Sequence, residues 1–457
     1  SSMYFNYAGS IYSQNFPIID IVMNTMLKQE ESTQGRHFFR MFNGMGDDQR
    51  AAAYLNGKSF EQAVLDNTLS TEVFYEMMKL KGVYLRNYIN SRLSSNEFKE
   101  FMAEFMKKYQ FQEVNFTRLN SEFIRKFHFN LMDFIPNWYT INSTPRFIVK
   151  GVDADQVEIG DYTKYIVKFQ VYNPTNVEGV ISVNVEEGGG MFPGGPRGRR
   201  GRAAQMESKP AKNYIIEPRK YKEIRILCDE RPSNLTINTN ISQNLPSTIM
   251  QNFAKVTTTT TDTVTGIFDS NAALFTFNPK EITVDNEDPG FRIIESNQKN
   301  KLQSFFKKES EDKYKNLNFW MPPSKWTATI GVNYYGDYIN SAVYKKSGSG
   351  SNKTEWTTQI QIPGFYEVFV YTSELPMMGW RRRGSEEKKM QYYTVKHDDG
   401  EEEISVETGR GRQGWMTLGS FYFSAGEAKI TLSDKGSESN QIIFADAVKW
   451  VYTNNNK

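Results

Sequence analysis

The chain has 457 residues, enough for about three domains of ordinary size. Hydrophobic residues make up 39% of it and charged residues 24%, which is typical of a folded globular protein and excludes a disordered one. The 55 lysines and arginines nearly balance the 53 aspartates and glutamates, so the net charge is only +2. Such a chain has no overall attraction to nucleic acid or to an anionic membrane, and we expect neither as a direct partner.

The sequence patterns of membrane-spanning helices, disulfides and zinc centres are absent from this chain. No apolar run approaches the roughly 20 residues of a membrane-spanning helix, and the first residues show no signal peptide. Cys228 is the single cysteine, which excludes an internal disulfide and a cysteine-based zinc site. His37, His128 and His397 lie far apart, and none belongs to an H-E-x-x-H motif. We expect the chain to hold no metal or cofactor of its own.

Residues 1–143 carry the periodicity of α-helices. Ser94 and Glu97 have the spacing of a capping box, in which each side chain bonds the backbone N–H of the other residue. Aromatic residues then recur on one helical face at Phe98, Phe101, Phe105 and Tyr109. Further helices are predicted over 71–91 and 117–127, and a polar loop over 42–58. The pattern predicts an α-helical subdomain.

From Pro145 onward the hydrophobic period changes from 3.6 residues to 2. Alternating patterns predict strands within 165–171, 181–185, 214–216, 224–227 and 235–239. These strands follow one another at short intervals with no crossover helix between them, which favours an Ig-like antiparallel β-sandwich over residues 144–295.

A glycine- and arginine-rich segment, 188–205, interrupts the predicted sandwich and is expected to be a disordered surface loop. Arginine–glycine runs can also bind RNA by charge and by stacking, but Phe192 is the sole aromatic residue near its four arginines. A surface loop or a protein contact is therefore the favoured interpretation.

The last part of the chain is again rich in strands. A polar, charge-rich linker is predicted over 296–319, and residues 320–457 follow it as one domain. Strands are predicted over 366–371, 416–423, 428–432 and 442–451. The whole chain is thus predicted to be a multidomain α+β protein with a helical subdomain and two antiparallel β-sandwiches, the second of jelly-roll type.

Two stretches resemble known families, and the first covers about residues 10–280. Its motifs are Lys81-Gly82, Tyr109-Gln110-Phe111, the segment Asp133–Trp138 and Thr144–Phe147. In order and spacing they resemble the end of the catalytic domain of aminopeptidase-N-like (gluzincin) zinc metallopeptidases, together with the small β-sandwich that follows it. The resemblance implies aminopeptidase-like ancestry.

The chain departs from that family where the chemistry would lie. It contains neither the H-E-x-x-H motif nor the downstream zinc-binding glutamate. The family places an oxyanion-stabilising tyrosine two residues before the Lys-Gly pair, and here that position is Lys79. We expect no peptidase activity from this chain alone. The alternative is that it completes an extracytoplasmic zinc aminopeptidase whose metal-binding half lies N-terminal to Ser1.

The second resemblance covers about residues 325–453. Five motifs occur in order: Glu355-Trp356, Pro363–Val368, Tyr393–His397, Gly414–Phe421 and Ala445–Val448. This succession resembles the golvesin C-terminal-like domain, which is also appended to xanthan lyases and other secreted bacterial enzymes. The resemblance implies a non-catalytic β-sandwich, similar to carbohydrate-binding modules, that acts in binding or adhesion outside the cell.

The candidate ligand-binding residues are Trp380, Arg381, Arg382 and Arg383. They form a loop that combines an aromatic ring with three cations, and the arginines can bind carboxylates of an acidic sugar or peptide in bidentate fashion. The competing interpretation is an exposed hairpin tip whose charge is balanced by Glu386 and Glu387. Trp356 and Trp415 are predicted to lie in the core.

Acidic residues from Asp398 to Glu403 offer oxygens that suit calcium, but their spacing is not that of an EF-hand loop. A hairpin turn through Asp399-Gly400 is the favoured interpretation.

Together these features predict a non-catalytic, extracytoplasmic part of a bacterial envelope or secreted protein that acts in binding or assembly. Its expected partners are a glycan or an envelope protein, and the rest of its parent polypeptide or a membrane-embedded subunit. Zinc would enter only through a missing N-terminal part. A purely structural spacer is the third possibility.

Overall fold

A computed structural model describes residues 9–28, 47–188, 211–253, 256, 258–295, 313–373, 389–409 and 412–453. They divide into two units, the first running to Leu274 and the second beginning at Phe275. No helix among these residues is long and apolar enough to cross a membrane. The fold class is the predicted one, with an N-terminal helical part followed by β-sandwich domains.

In the part of the first unit that the structure describes, seven α-helices and a small parallel sheet come first. The helices are α1 (Ile19–Lys28), α2 (Asp47–Leu55), α3 (Phe60–Leu65), α4 (Thr71–Asn90), α5 (Ser95–Lys108), α6 (Phe116–Phe127) and α7 (Ile135–Thr140). Strands β1 (Gly9–Tyr12) and β2 (Gln112–Asn115) pair in parallel. Neither strand was predicted, because four residues are too few to establish a period.

Helix α5 confirms the capping box and the aromatic face. The Glu97 backbone N–H donates to the Ser94 hydroxyl at 3.2 Å, and the Ser94 N–H donates to the Glu97 carboxylate at 2.9 Å. Its aromatic residues are buried in the helical core. The polar loop predicted over 42–58 is partly wrong, since α2 occupies Asp47–Leu55 and buries Ala51 and Leu55.

The first sandwich packs a five-stranded sheet, ordered β10-β3-β4-β7-β11, against a four-stranded sheet, ordered β6-β5-β8-β9. The strands are β3 (Ile148–Ile159), β4 (Tyr162–Tyr172), β5 (Gly179–Glu187), β6 (Lys212–Ile216), β7 (Tyr221–Cys228), β8 (Pro232–Asn238), β9 (Thr248–Asn252), β10 (Thr258–Thr259) and β11 (Gly266–Asp269). All five predicted strands are present. Val180 and Ile241 belong to the core of the helical part, so both parts form one compact unit.

The second unit is a sandwich with three sheets, ordered β12-β23-β17-β20, β13-β16-β21-β18-β19 and β14-β15-β22. The strands are β12 (Glu281–Val284), β13 (Phe291–Ile294), β14 (Thr327–Ile330), β15 (Ser341–Lys346), β16 (Lys353–Ile360), β17 (Gly364–Thr372), β18 (Lys389–His397), β19 (Gly400–Thr408), β20 (Gly414–Phe423), β21 (Gly426–Gly436), β22 (Ile442–Ala445) and β23 (Val448–Thr453). Trp356 and Trp450 are central to its core.

The last domain begins earlier than the predicted residue 320. Strands β12 and β13, which the sequence analysis placed in the first sandwich, pair with β23 and β16 of the second. Leu317 and Phe319, at the end of the predicted linker, pack on the last domain. The rest of that linker, 296–312, lies outside the described residues, as does the loop 188–205 apart from Gly188.

Candidate functional site

The predicted ligand-binding residues Trp380, Arg381, Arg382 and Arg383 lie outside the described residues, in the segment 374–388 between β17 and β18. The acidic segment is a tight hairpin, because His397 and Gly400 pair across it. Among the described residues, no group of three or more histidine, cysteine or acidic side chains is arranged to hold a metal ion.

The prediction that both tryptophans lie in the core is right for Trp356 and wrong for Trp415. Trp356 is fully buried, and its indole N–H donates to the Asp446 carbonyl at 3.0 Å. Trp415 is partly exposed. On β20 the side chains of Leu418, Phe421 and Phe423 point into the core, and that of Trp415 lies on the outward side of the sheet.

Trp415 belongs to a row of aromatic side chains on the outward side of the sheet β12-β23-β17-β20. On β17 the residues Tyr366, Val368 and Val370 point into the core, so the alternate residues point outward. We call the resulting surface the aromatic face. It consists of Tyr335, Phe365, Phe369, Tyr371, Trp415 and Tyr422.

Three rings cluster at one end of the aromatic face. The centroid of Trp415 lies 5.3 Å from that of Tyr371 and 5.1 Å from that of Tyr335, both in edge-to-face geometry. Tyr335 comes from the loop after β14, and its phenol oxygen is held by the Thr283 hydroxyl of β12, whose donation opposes the rise that burial causes in the pKa of Tyr335. Burial raises the pKa of the Tyr371 hydroxyl to about 12.

Two rings form the other end. Phe365 and Tyr422 are directly paired across β17 and β20, with centroids 5.4 Å apart, and are 41% and 37% exposed. Exposure of this size for neighbouring aromatic residues marks a contact surface more often than a stray apolar side chain.

Polar and charged groups lie between the two ends. Lys449 of β23 places its ammonium 4.6 Å from the Trp415 ring and 3.5 Å from a carboxylate oxygen of Glu281. The hydroxyl of Thr417 donates to Glu367 at 3.3 Å. The surface thus combines aromatic rings with a few fixed hydrogen-bonding groups, the composition of many ligand sites.

Buried carboxylates support the Tyr335 loop from beneath. The backbone N–H of Tyr335 donates to both carboxylate oxygens of Asp446, at 3.2 and 3.3 Å, and the Ser373 hydroxyl donates to one of them. Burial raises the pKa of Asp446 well above its ordinary value, and the charge of Asp285 adds to this effect. Burial likewise raises the pKa of Asp285 to about 8, and the neighbouring charge of Asp288 contributes.

These carboxyl groups make the stability of the last domain fall as pH rises from about 4 to about 8. An unfolded aspartate titrates near pH 4 whereas folded Asp285 titrates near 8, so in that window the folded state holds the extra proton. The stabilisation linked to this proton is therefore fully present below pH 4 and is lost as pH rises through 8. The loss is up to about 1.4 kcal/mol per pH unit for each carboxyl group. Denaturant unfolding at pH 5 and pH 8 should show this loss, and Asp285→Asn should reduce it. An equal loss in that variant would contradict the assignment.

A separate feature of the first unit is a cavity of about 30 Å³ beside Lys81. It has room for about two water molecules. Lys81 is 4% exposed, and its ammonium donates to the Trp138 carbonyl at 2.5 Å. Burial lowers the pKa of Lys81 to about 7. Lys79 pairs with Glu76 at 2.6 Å on the same helix.

Sequence reasoning missed most of the aromatic face, although the strand pattern contained a signal for it. From Phe365 to Tyr371 nearly every residue is aromatic or aliphatic, on both sides of the strand. A strand with one face toward water normally alternates apolar and polar residues. The second apolar row was therefore an indication of an exposed binding surface.

Comparison with known proteins relates the last domain to one family. Residues 315–452 match the model of the Golvesin C-terminal domain. No curated protein matches the chain. Among solved structures, a Paenibacillus xanthan lyase is 14% identical with a TM-score of 0.27, over 68% of this chain and 26% of that one. A family 35 carbohydrate-binding module from Clostridium thermocellum is 13% identical with a TM-score of 0.23, over 37% and 98%.

The chain thus spans about a quarter of the xanthan lyase, and structural scores this low support no functional argument. The family match begins after β12 and β13, which the structure adds to the same sandwich. Residues 315–452 are therefore similar to the Golvesin C-terminal domain.

Proposed function

We propose that the last domain is a glycan-binding module and that the aromatic face holds the ligand. The observation that carries this proposal is the presence of six aromatic side chains on the outward side of one sheet, interleaved with polar groups. Pyranose rings have apolar C–H faces, which pack against aromatic rings, and a rim of hydroxyls, which needs hydrogen-bonding partners.

The surroundings of Trp415 supply both kinds of contact. Its ring and that of Tyr371 offer a half-exposed apolar surface, and the neighbouring Tyr371 hydroxyl and Lys449 ammonium are donors. The carboxylates of Glu281 and Glu367 are acceptors on the same side of the sheet. Recognition of a sugar needs this combination, because a purely apolar surface would leave the sugar hydroxyls unpaired.

The loop residues Trp380, Arg381, Arg382 and Arg383 remain part of the proposal as a separate site for an acidic ligand. In the chain they follow Ser373, which bonds the Asp446 carboxylate beneath the Tyr335 loop. Their three cations would favour an acidic sugar, in contrast to the aromatic face. Golvesin-like domains occur in extracellular proteins, which supports an extracytoplasmic location for this chain.

The aminopeptidase-like ancestry of residues 10–280 is also a proposal. It is supported by the order of α4, α7 and the first sandwich, and by the contact between Lys81 and Trp138, two residues of the motifs that carry the resemblance. Under this proposal the first unit is a scaffold, or the C-terminal half of a peptidase whose zinc ligands lie elsewhere in a longer protein.

The experiment that tests the glycan function is a glycan array followed by isothermal titration with the full chain. We expect binding to a polysaccharide or oligosaccharide, and we expect Trp415→Ala to weaken it about 10- to 100-fold. The matched control is Trp320→Ala, because Trp320 is a 79% exposed tryptophan of the same domain that lies outside the aromatic face.

Three outcomes would contradict the proposal. One is the absence of binding to any glycan, and another is a loss of affinity in Trp320→Ala that Trp415→Ala does not show. The third is hydrolysis of an aminoacyl substrate by the chain alone that a metal chelator abolishes, since this would replace a binding function by a catalytic one.

A further inference from the structure

We infer that the ligand of the aromatic face is an uncharged oligosaccharide that lies extended along β17, with its tightest contact at Trp415. This inference rests on the proposed glycan-binding function and adds the length, the direction and the charge of the ligand.

The length follows from the spacing of the outward-facing residues. Phe365 and Tyr371 are six residues apart on one strand, and a strand rises about 3.3 Å per residue, so their Cα atoms are roughly 20 Å apart. Phe369 lies between them on the same side. A monosaccharide reaches one end of this row at a time, whereas a chain of several sugars can contact both ends.

The two ends of the row are unequal. At the Trp415 end three rings lie within 5.1 to 5.7 Å of one another, and the Lys449 ammonium lies over the indole. At the other end the pair Phe365 and Tyr422 is more exposed, and the backbone-paired neighbour of Phe365 on β23 is Thr453. The larger and more rigid cluster provides the main contact, and the exposed pair adds a contact for longer ligands.

The charge of the surface selects against anionic ligands. The outward side chains of this sheet include the carboxylates of Glu281 and Glu367 and one cation, Lys449. Lys449 is already paired with Glu281 at 3.5 Å, so an incoming carboxylate or sulfate would meet a net negative surface. Neutral sugars face no such repulsion, and their binding depends little on salt.

The test is a length series of neutral oligosaccharides, from monosaccharide to hexasaccharide, titrated into the full chain. Gluco-, xylo- and manno-oligosaccharides serve as probes. We expect the affinity to rise with length and then to level off. Tyr422→Ala should weaken the longest probes about tenfold and leave the shortest unchanged, whereas Trp415→Ala should weaken all of them. Trp415→Phe keeps a ring and should retain most of the affinity. Circular dichroism spectra of the variants serve to check that each of them is folded.

The outcomes separate this inference from the function on which it rests. Equal affinity for short and long probes, or an equal effect of Tyr422→Ala on both, would overturn the extended site and leave glycan binding intact. Affinity that falls steeply with added salt, or a preference for polyuronate over neutral probes, would overturn the uncharged ligand and favour the arginine loop. No binding at any length, neutral or acidic, would overturn the inference and the proposed function together.

Discussion

Replacing Asp434 with alanine should lower the free energy of unfolding of the last domain by about 3–5 kcal/mol. Asp434 is fully buried on β21, and its carboxylate accepts from the Lys345 ammonium, from the Gly350 N–H at 2.7 Å and from the Asn352 amide at 2.9 Å. Burial alone would raise the pKa of Asp434, but these hydrogen bonds outweigh it and the pKa is lowered. Alanine would leave the Lys345 cation buried without its partner.

Calorimetry of the full chain measures this effect, with an expected fall of roughly 10 °C in the melting temperature of the last domain. The control is the double variant Lys345→Met with Asp434→Asn, which buries no charge and should be more stable than Asp434→Ala. Because β15 and β21 belong to different sheets, this pair links the three-stranded sheet to the five-stranded one. A change below about 1 kcal/mol in Asp434→Ala would contradict that role.

Lys81→Met should stabilise the first unit at pH 6 by about 3–5 kcal/mol and lose this advantage as pH rises toward 10. Lys81 titrates near pH 7 in the folded state and near 10.5 when unfolded, so between these values unfolding takes up a proton. In the unmodified protein, burial of Lys81 therefore costs no stability above pH 10.5. The cost grows as pH falls and reaches its full size near pH 7. Methionine has no charge to bury and removes this dependence.

Urea unfolding of both proteins at pH 6, 7.5 and 9 measures the difference. Lys79→Met is the matched control on the same helix, because the Lys79 ammonium is partly exposed and pairs with Glu76 at 2.6 Å. If the difference in unfolding free energy between Lys81→Met and the unmodified protein stays constant with pH, the Lys81 ammonium is not desolvated in the folded state. The loss of the hydrogen bond to Trp138 limits the gain, since that carbonyl then lacks its donor.

Much of the fold was predictable because most elements have strong local signals. The capping box and aromatic stripe define α5, and the period of two defines the strands around Phe169 and Val183. The predicted strand over 442–451 is in fact two strands, because the extended pairing is interrupted at Asp446 and Ala447. At this interruption Asp446 accepts hydrogen bonds from Tyr335 and Trp356, which are distant in sequence, and no local pattern reveals these contacts.

The domain boundary was harder to predict, because it depends on strand pairing rather than on local pattern. Strand β12 alternates like other strands and β13 has only four residues with no alternation, so their sequence does not say which sandwich they join. Pairing of Ile282 with Trp450 and of Phe291 with Trp356 places them in the second sandwich. Contacts of this kind link residues more than 60 positions apart, beyond the reach of a sequence window.

The candidate site could be predicted in type but not in place. A sequence search for an aromatic residue beside cations selected Trp380 and its arginines, since they adjoin in the chain. The aromatic face instead joins Tyr335, Tyr371 and Trp415 from three separate segments, which only the folded sheet brings together. Trp415, which the strand-like motif led us to predict in the core, is the centre of the proposed site.

The most direct test of glycan binding by the aromatic face is a crystal structure of the chain with the tightest-binding oligosaccharide. We predict sugar rings packed on Trp415 and Tyr371, with the oligosaccharide continuing along β17 toward Phe365. Sugar bound elsewhere on the protein, with the rings of the aromatic face uncovered at saturating ligand, would contradict it.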